Sequence, residues 1–266
     1  MNAILFSWKT TLRFLTIILA GGIIIFLLVK ILFPNEKFGI TYAEGRTLIT
    51  VKQGREISAH SVLSASDSWV NTGIEIRPGE TIELKVSGKI HAASDKLIQA
   101  AIKDTIPLVK WTDANGTDFN PLNSRNRSDS LRKSMLLFPK AKFGAVLFHI
   151  SKKSYNYSCD LISGIDLPKE EEITPYNSSR MEFHNDTKDT WYVWAAVNDI
   201  LLRDNSENSI IAFIGNHKKD EKERRKLAEA ILGREKYNRI WFDDNIGSFI
   251  ISARIKKSLS FSNFWE

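Results

Sequence analysis

Two short polar segments carry the residue types from which a binding site could be built. Asn198-Asp199 closes the hydrophobic run TWYVWAAV, and Asp243-Asp244-Asn245-Ile246-Gly247 opens SFIISARI. Short Asp and Asn side chains hold hard oxygens close to the backbone. Ca²⁺ takes such donors, about six to eight of them at roughly 2.3–2.6 Å. The same residues also build turns, because Asx side chains hydrogen-bond their own backbone and glycine tolerates a bend or bulge. Both readings fit the residues alone. Other chemistries lack their signatures: the chain has no GxxxxGK[ST], GxGxxG, GxSxG or HExxH motif, and its five histidines lack metal-ligand spacing. A single cysteine, Cys159, excludes an intrachain disulfide and any CxxC site.

These segments need strands to bring them together, and period-2 alternation supplies candidates. Val70, Thr72, Ile74 and Ile76 share one face of a strand, Arg77-Pro78-Gly79-Glu80 turns the chain, and Ile82, Leu84 and Val86 share one face of the next. FGAVLFHI places Val146, Phe148 and Ile150 together. TWYVWAAVN is apolar on both faces, as a central strand requires, and SFIISARI sets Phe249, Ile251, Ala253 and Ile255 on one side. Weaker strand signals lie at 57–63, 180–184 and 209–214. SDKLIQAAIKD, with Ser94 as its cap, reads as a short helix, followed by a polar loop over 113–134. Residues 218–237 read as a helix with Leu227 and Ile231 on one face. The expected fold is mainly β: an antiparallel β-sandwich with one or two inserted helices.

At the amino end, FLTIILAGGIIIFLLV spans Phe14–Val29 without a charge, and continues to Phe33 if Lys30 snorkels. Twenty residues at about 1.5 Å each match a hydrocarbon core of about 30 Å. A cleaved signal peptide is the competitor, but its apolar region ends earlier, at a small-residue site, whereas here it runs past Ala20-Gly21-Gly22. Flanking charges (Lys9 and Arg13 before, Lys30, Lys37 and Arg46 after) lean toward N-inside, C-outside, with a periplasmic or extracellular carboxy-terminal domain. Lys9, Arg13 and Lys30 supply three of the 37 basic residues set against 31 acids. The remaining surface is mixed in sign and gives no case for nucleic acid. The expected boundaries are a tail over 1–11, a transmembrane helix over 12–33, a linker over 34–53, a sandwich over 54–258 with insertions 94–143 and 200–240, and a tail over 259–266.

Four pieces taken in order resemble the PA-I-like (LecA-like) family of calcium-dependent, galactose-binding lectins. They are TGIEIRPGETIELKVSGKI, FGAVLFHI, WYVWAAVND and DDNIGSFIISARI. The resemblance implies a galactose-binding-like or jelly-roll sandwich. It also implies a Ca²⁺ site from Asp199, Asp244, Asn245 and the backbone carbonyl of Ala92, with Asp199 shared between cation and sugar and Asn198 and Asp243 beside the ligand. Asp204-Asn205 matches the same Asx pair and is an alternative. The resulting expectation is a non-enzymatic, membrane-anchored protein that binds a glycan or polysaccharide, with Ca²⁺ as cofactor. The competing expectation is a structural subunit whose sandwich binds a protein partner or a second copy. A glycosidase is a third class, in which Asp199 and Asp244 would need to stand about 5–9.5 Å apart.

Overall fold

The computed structural model describes residues 8–32, 36–43, 46–53, 56–92, 111–118, 135–152, 167–179, 181–201, 220–233 and 242–257. The candidate helix at 94–104, the strand signal at 209–214, most of the 113–134 loop, Asp204-Asn205 and Cys159 lie outside these residues. Helix α1 covers Trp8–Leu32, and within it Thr11–Leu28 is long and apolar enough to cross a membrane. Its large apolar side chains, among them Phe14, Ile17, Leu19 and Ile25, are exposed. The hydroxyl of Thr16 donates to the Leu12 carbonyl at 2.9 Å, so this polar group needs no water.

Among the described residues ten strands follow, all paired antiparallel. They are β1 (Glu36–Ala43), β2 (Arg46–Gln53), β3 (Glu56–Ser64), β4 (Val70–Ile76), β5 (Glu80–Ala92), β6 (Val146–Ser151), β7 (Ile173–Pro175), β8 (Glu182–His184), β9 (Trp191–Val197) and β10 (Asn245–Lys257). One sheet runs β1-β2-β3-β10-β5-β8 and the other β4-β9-β6-β7. The fold is therefore mainly β, two sheets packed as a sandwich. Within the span 34–53, read from sequence as a linker, Glu36–Ala43 and Arg46–Gln53 instead form β1 and β2. Their alternation (Phe38, Ile40; Ile49, Val51) is of strand type, but the polar residues between conceal it in a ribbon that extends the sheet at its edge.

Inward-facing residues of the two sheets fill the core. Leu63, Ile82, Leu84, Phe249 and Ile251 come from one sheet, and Ile74, Ile76, Phe148, Val193 and Ala195 from the other. β9 is apolar on both faces because its other face is also covered. Trp194 and Ala196 join Trp69, Leu137, Phe138, Leu147 and Phe242 in a second cluster. Trp194 is thus a packing residue with no exposed surface. The Pro78-Gly79 turn forms as its residues require: Gly79 has φ +76°, and Glu80 closes it through N–H to the Arg77 carbonyl at 3.0 Å and through its carboxylate to the Arg77 N–H at 2.8 Å.

Helix α2 (Glu221–Leu232) begins at Asp220, whose side chain accepts from the Lys222 N–H. It buries Ala228 and Ile231. Leu227, expected on the buried face with Ile231, is instead well exposed at the margin.

Candidate functional site

β9 ends at Val197 and β10 begins at Asn245, so the two polar segments meet at one end of the sandwich from opposite sheets. Asp199 lies just past the end of β9 and is 2% exposed. One carboxylate oxygen accepts the Asn245 Nδ2–H at 2.7 Å, and the other accepts the Ile200 backbone N–H at 2.6 Å. Asn245 stands opposite Ala92 in the β5–β10 register, and its amide also donates to the Ala65 carbonyl at 3.2 Å. Of the residues expected at a cation site, Asp199 and Asn245 meet directly, and Ala92 stands opposite Asn245 in the adjoining strand.

The amide orientation decides what this cluster does as it stands. Two acceptors, Asp199 and the Ala65 carbonyl, face the Asn245 nitrogen, so the donor side of the amide is turned toward them. Asn245 presents N–H, not oxygen, to Asp199. Its Oδ1 is buried and accepts no hydrogen bond among the described residues. Such an orphan carries a desolvation cost of roughly 1–3 kcal/mol.

Electrostatics sharpen the point. The Asp199 carboxyl is pushed up from 3.8 to about 7, chiefly because burial removes its charge from water. The hydrogen bonds from Asn245 and Ile200 oppose this, and the nearby negative charge of Asp244 adds to it. Asp244 is half-buried and Asp243 exposed in the turn that leads from Phe242 into β10, where the Asn245 N–H donates to the Phe242 carbonyl at 3.2 Å. No group of three or more His, Cys, Asp or Glu side chains placed to hold a metal occurs among the described residues. A cation here would rely on Asp199 and Asp244 together with amide and main-chain oxygens.

Asn198 has a different role from the ligand contact expected of it. It is fully buried, and its amide donates to the carbonyls of Phe138, Ala141 and Lys142 at 3.1, 3.3 and 2.9 Å. Its Oδ1 accepts the Phe138 N–H at 2.9 Å. Asn198 thereby ties the 138–142 turn to the end of β9, and its polar atoms are committed inside the fold. Asn185, which sequence reasoning passed over, is a second buried hub. Its amide donates to the Ile76 and Asp189 carbonyls, and its oxygen accepts from the Thr187 N–H and hydroxyl. The signal for it was an Asx residue two positions before a threonine, a common turn pattern.

Two glycines set the strand ends that carry the cluster. Gly247 has φ +97°, and a Cβ there would stand 2.6 Å from the Lys89 carbonyl oxygen. Gly88 has φ +115°, and its Cβ would meet the Ser248 oxygen at 2.5 Å. Only glycine meets both demands, so β5 and β10 can approach closely where Asn245 and Ala92 face each other.

Comparison with known proteins adds no further constraint: no protein-family model, curated protein or solved structure matches the chain.

Proposed function

We propose that this protein is a single-span, membrane-anchored, non-enzymatic interaction module. Helix α1 would cross the bilayer, and the sandwich would serve as a binding subunit of a membrane-associated assembly, on the non-cytoplasmic side. One observation carries the reading: α1 exposes large apolar side chains along its length from Phe14 to Leu28, while the sandwich beyond it closes its own core without that helix. In this reading the Asp199–Asn245 hydrogen bond is a latch joining the two sheets at one end, and Asn198 fixes the adjacent turn. Full-length protein purified in mild detergent should elute as a stoichiometric complex or homo-oligomer. A clean monomer with intact calcium-dependent glycan binding would overturn the proposal.

That outcome belongs to a second reading, which the orphan Asn245 Oδ1 favours. Turning the Asn245 amide would point this oxygen toward Asp199, and a Ca²⁺ ion between them would relieve the buried charge and the repulsion from Asp244. The protein would then bind a glycan or polysaccharide through the cation, as its resemblance to the PA-I-like lectins suggests. Calorimetric titration of the full chain with Ca²⁺ tests this. Heat that disappears in Asp199→Asn supports it, and no heat at millimolar Ca²⁺ removes it.

A further inference from the structure

The outer face of the six-stranded sheet changes character across its width. Residues opposite one another in register share a face, which places Phe38 beside Val51, Ile40 beside Ile49 and Val62 beside Ile250. Phe38 is 67% exposed, Ile40 63%, Val62 51%, Ile250 46% and Ile49 37%. These fractions amount to apolar surface on the order of 400–500 Å², a size at which a patch on a monomer commonly marks a contact site. Elsewhere the same face is polar: on β3 and β10, His60 stands opposite Ile49 and hydrogen-bonds Ser252 at 3.0 Å, and Arg254 pairs with Glu56 through contacts of 2.6–2.8 Å. On β5, Lys85 pairs with Glu83 at 3.3 Å.

Phe38, Ile40 and Ile49 of this corner sit on β1 and β2, the strands that follow the helix, and Val62 and Ile250 lie farther across the sheet on β3 and β10. Only residues 33–35 separate Leu32, the end of α1, from Glu36, the start of β1. Four Cα steps reach at most about 14 Å when fully extended. The polar layer on each side of a hydrocarbon core is about 5–7 Å thick. If α1 spans the bilayer, β1 must begin within or just beyond the headgroups, whatever path the three residues take. A soluble partner seated on this corner would have to fit into that gap.

We propose that the apolar corner formed by Phe38, Ile40, Ile49, Val62 and Ile250 lies against the interface of the bilayer that α1 spans. This inference rests on the anchored reading above. It makes the apolar part of β1 and β2, with Val62 and Ile250, a membrane-facing surface and leaves the ionic part of the face, the ends and the opposite sheet for partners.

Depth-dependent quenching tests it. The full chain, with Cys159→Ser, receives a single cysteine by Ile40→Cys, Ile250→Cys, Glu75→Cys or Leu19→Cys. Each is labelled with an environment-sensitive fluorophore and reconstituted in phosphatidylcholine bilayers with doxyl-labelled lipid. Glu75 is exposed on β4 of the other sheet and Leu19 lies within α1. The expected result is quenching at positions 40 and 250 several-fold stronger than at 75, with position 19 strongly quenched. Quenching at 40 and 250 no stronger than at 75, with 19 still quenched, overturns the apposition and spares the anchor. Loss of quenching at 19 removes the anchor, and the apposition falls with it. Blue-shifted emission at 40 and 250 without lipid quenching, joined by cross-linking between chains, would assign the corner to a second copy and also overturn the proposal. Unchanged urea midpoints show that the labelled variants remain folded.

Discussion

Replacing Asp199 with asparagine should remove a specific pH dependence of folding. In the folded protein this carboxyl is pushed up from 3.8 to about 7, with burial as the largest cause. A group whose native pKa lies above its unfolded value binds its proton more tightly when folded. Its contribution to stability is therefore complete below about pH 4 and is lost as the pH rises through 7. The interval is about three pH units, and at about 1.36 kcal/mol per unit the loss is on the order of 4 kcal/mol. Other carboxyls also titrate near pH 4, so the informative quantity is the stability of the native chain minus that of Asp199→Asn at each pH. Urea unfolding of both proteins in the same detergent, followed by tryptophan fluorescence from pH 4 to 8, gives that difference. It should fall steadily by several kcal/mol toward neutral pH and level off above about 7.5. A flat difference would mean that the hydrogen bonds from Asn245 and Ile200 fully offset desolvation. A difference that rises with pH would refute the reasoning outright.

Three further outcomes follow from the geometry. Gly247→Ala should destabilise the fold by about 3 kcal/mol, because it combines a left-handed φ with a Cβ pressed on a backbone oxygen; a midpoint within error of native in urea unfolding would contradict this. Asn198→Ala should cost about 3 kcal/mol by stripping the 138–142 carbonyls of their donor, whereas Asp243→Ala, at an exposed turn position, should cost less than about 0.5 kcal/mol in the same assay. Under the latch reading, millimolar Ca²⁺ should leave the thermal midpoint of the full chain unchanged at pH 7.5. A rise that vanishes in Asp199→Asn would move the account to the cation-binding reading.

Much of the sandwich could be read in the sequence because its strands are buried on one face and wet on the other. β4, β5 and β10 show this alternation, and their inward residues (Ile74, Leu84, Ile251) form the core. β9 was legible from its apolar character on both faces. β1 and β2 were not, since threonine, glycine and lysine between their apolar residues give the composition of a linker. The pairing that reveals them depends on β3, whose sequence signal is weak. In α2 the helix period was plain, but the choice of Ala228 over Leu227 for the buried face follows from tertiary packing.

At the site, the residues alone left open a turn or a cation site, the family resemblance implied that Asp199 and Asn245 share one place, and the two side chains hydrogen-bond. Their orientation was not foretold. It depends on the Ala65 carbonyl, 180 positions from Asn245, which holds the amide nitrogen toward the carboxylate. The same limit applies to Asn198: its type suggested a ligand, but its partners in the 138–142 turn lie some 60 positions upstream.

The central claim is that α1 remains part of the protein and holds the sandwich at a membrane. Intact-mass measurement of the chain recovered from alkali-washed membranes tests it most directly. The account predicts retention in the membrane fraction at the full 30.3 kDa. A shorter species, cut near the Ala20-Gly21-Gly22 stretch and released by the wash, would contradict it.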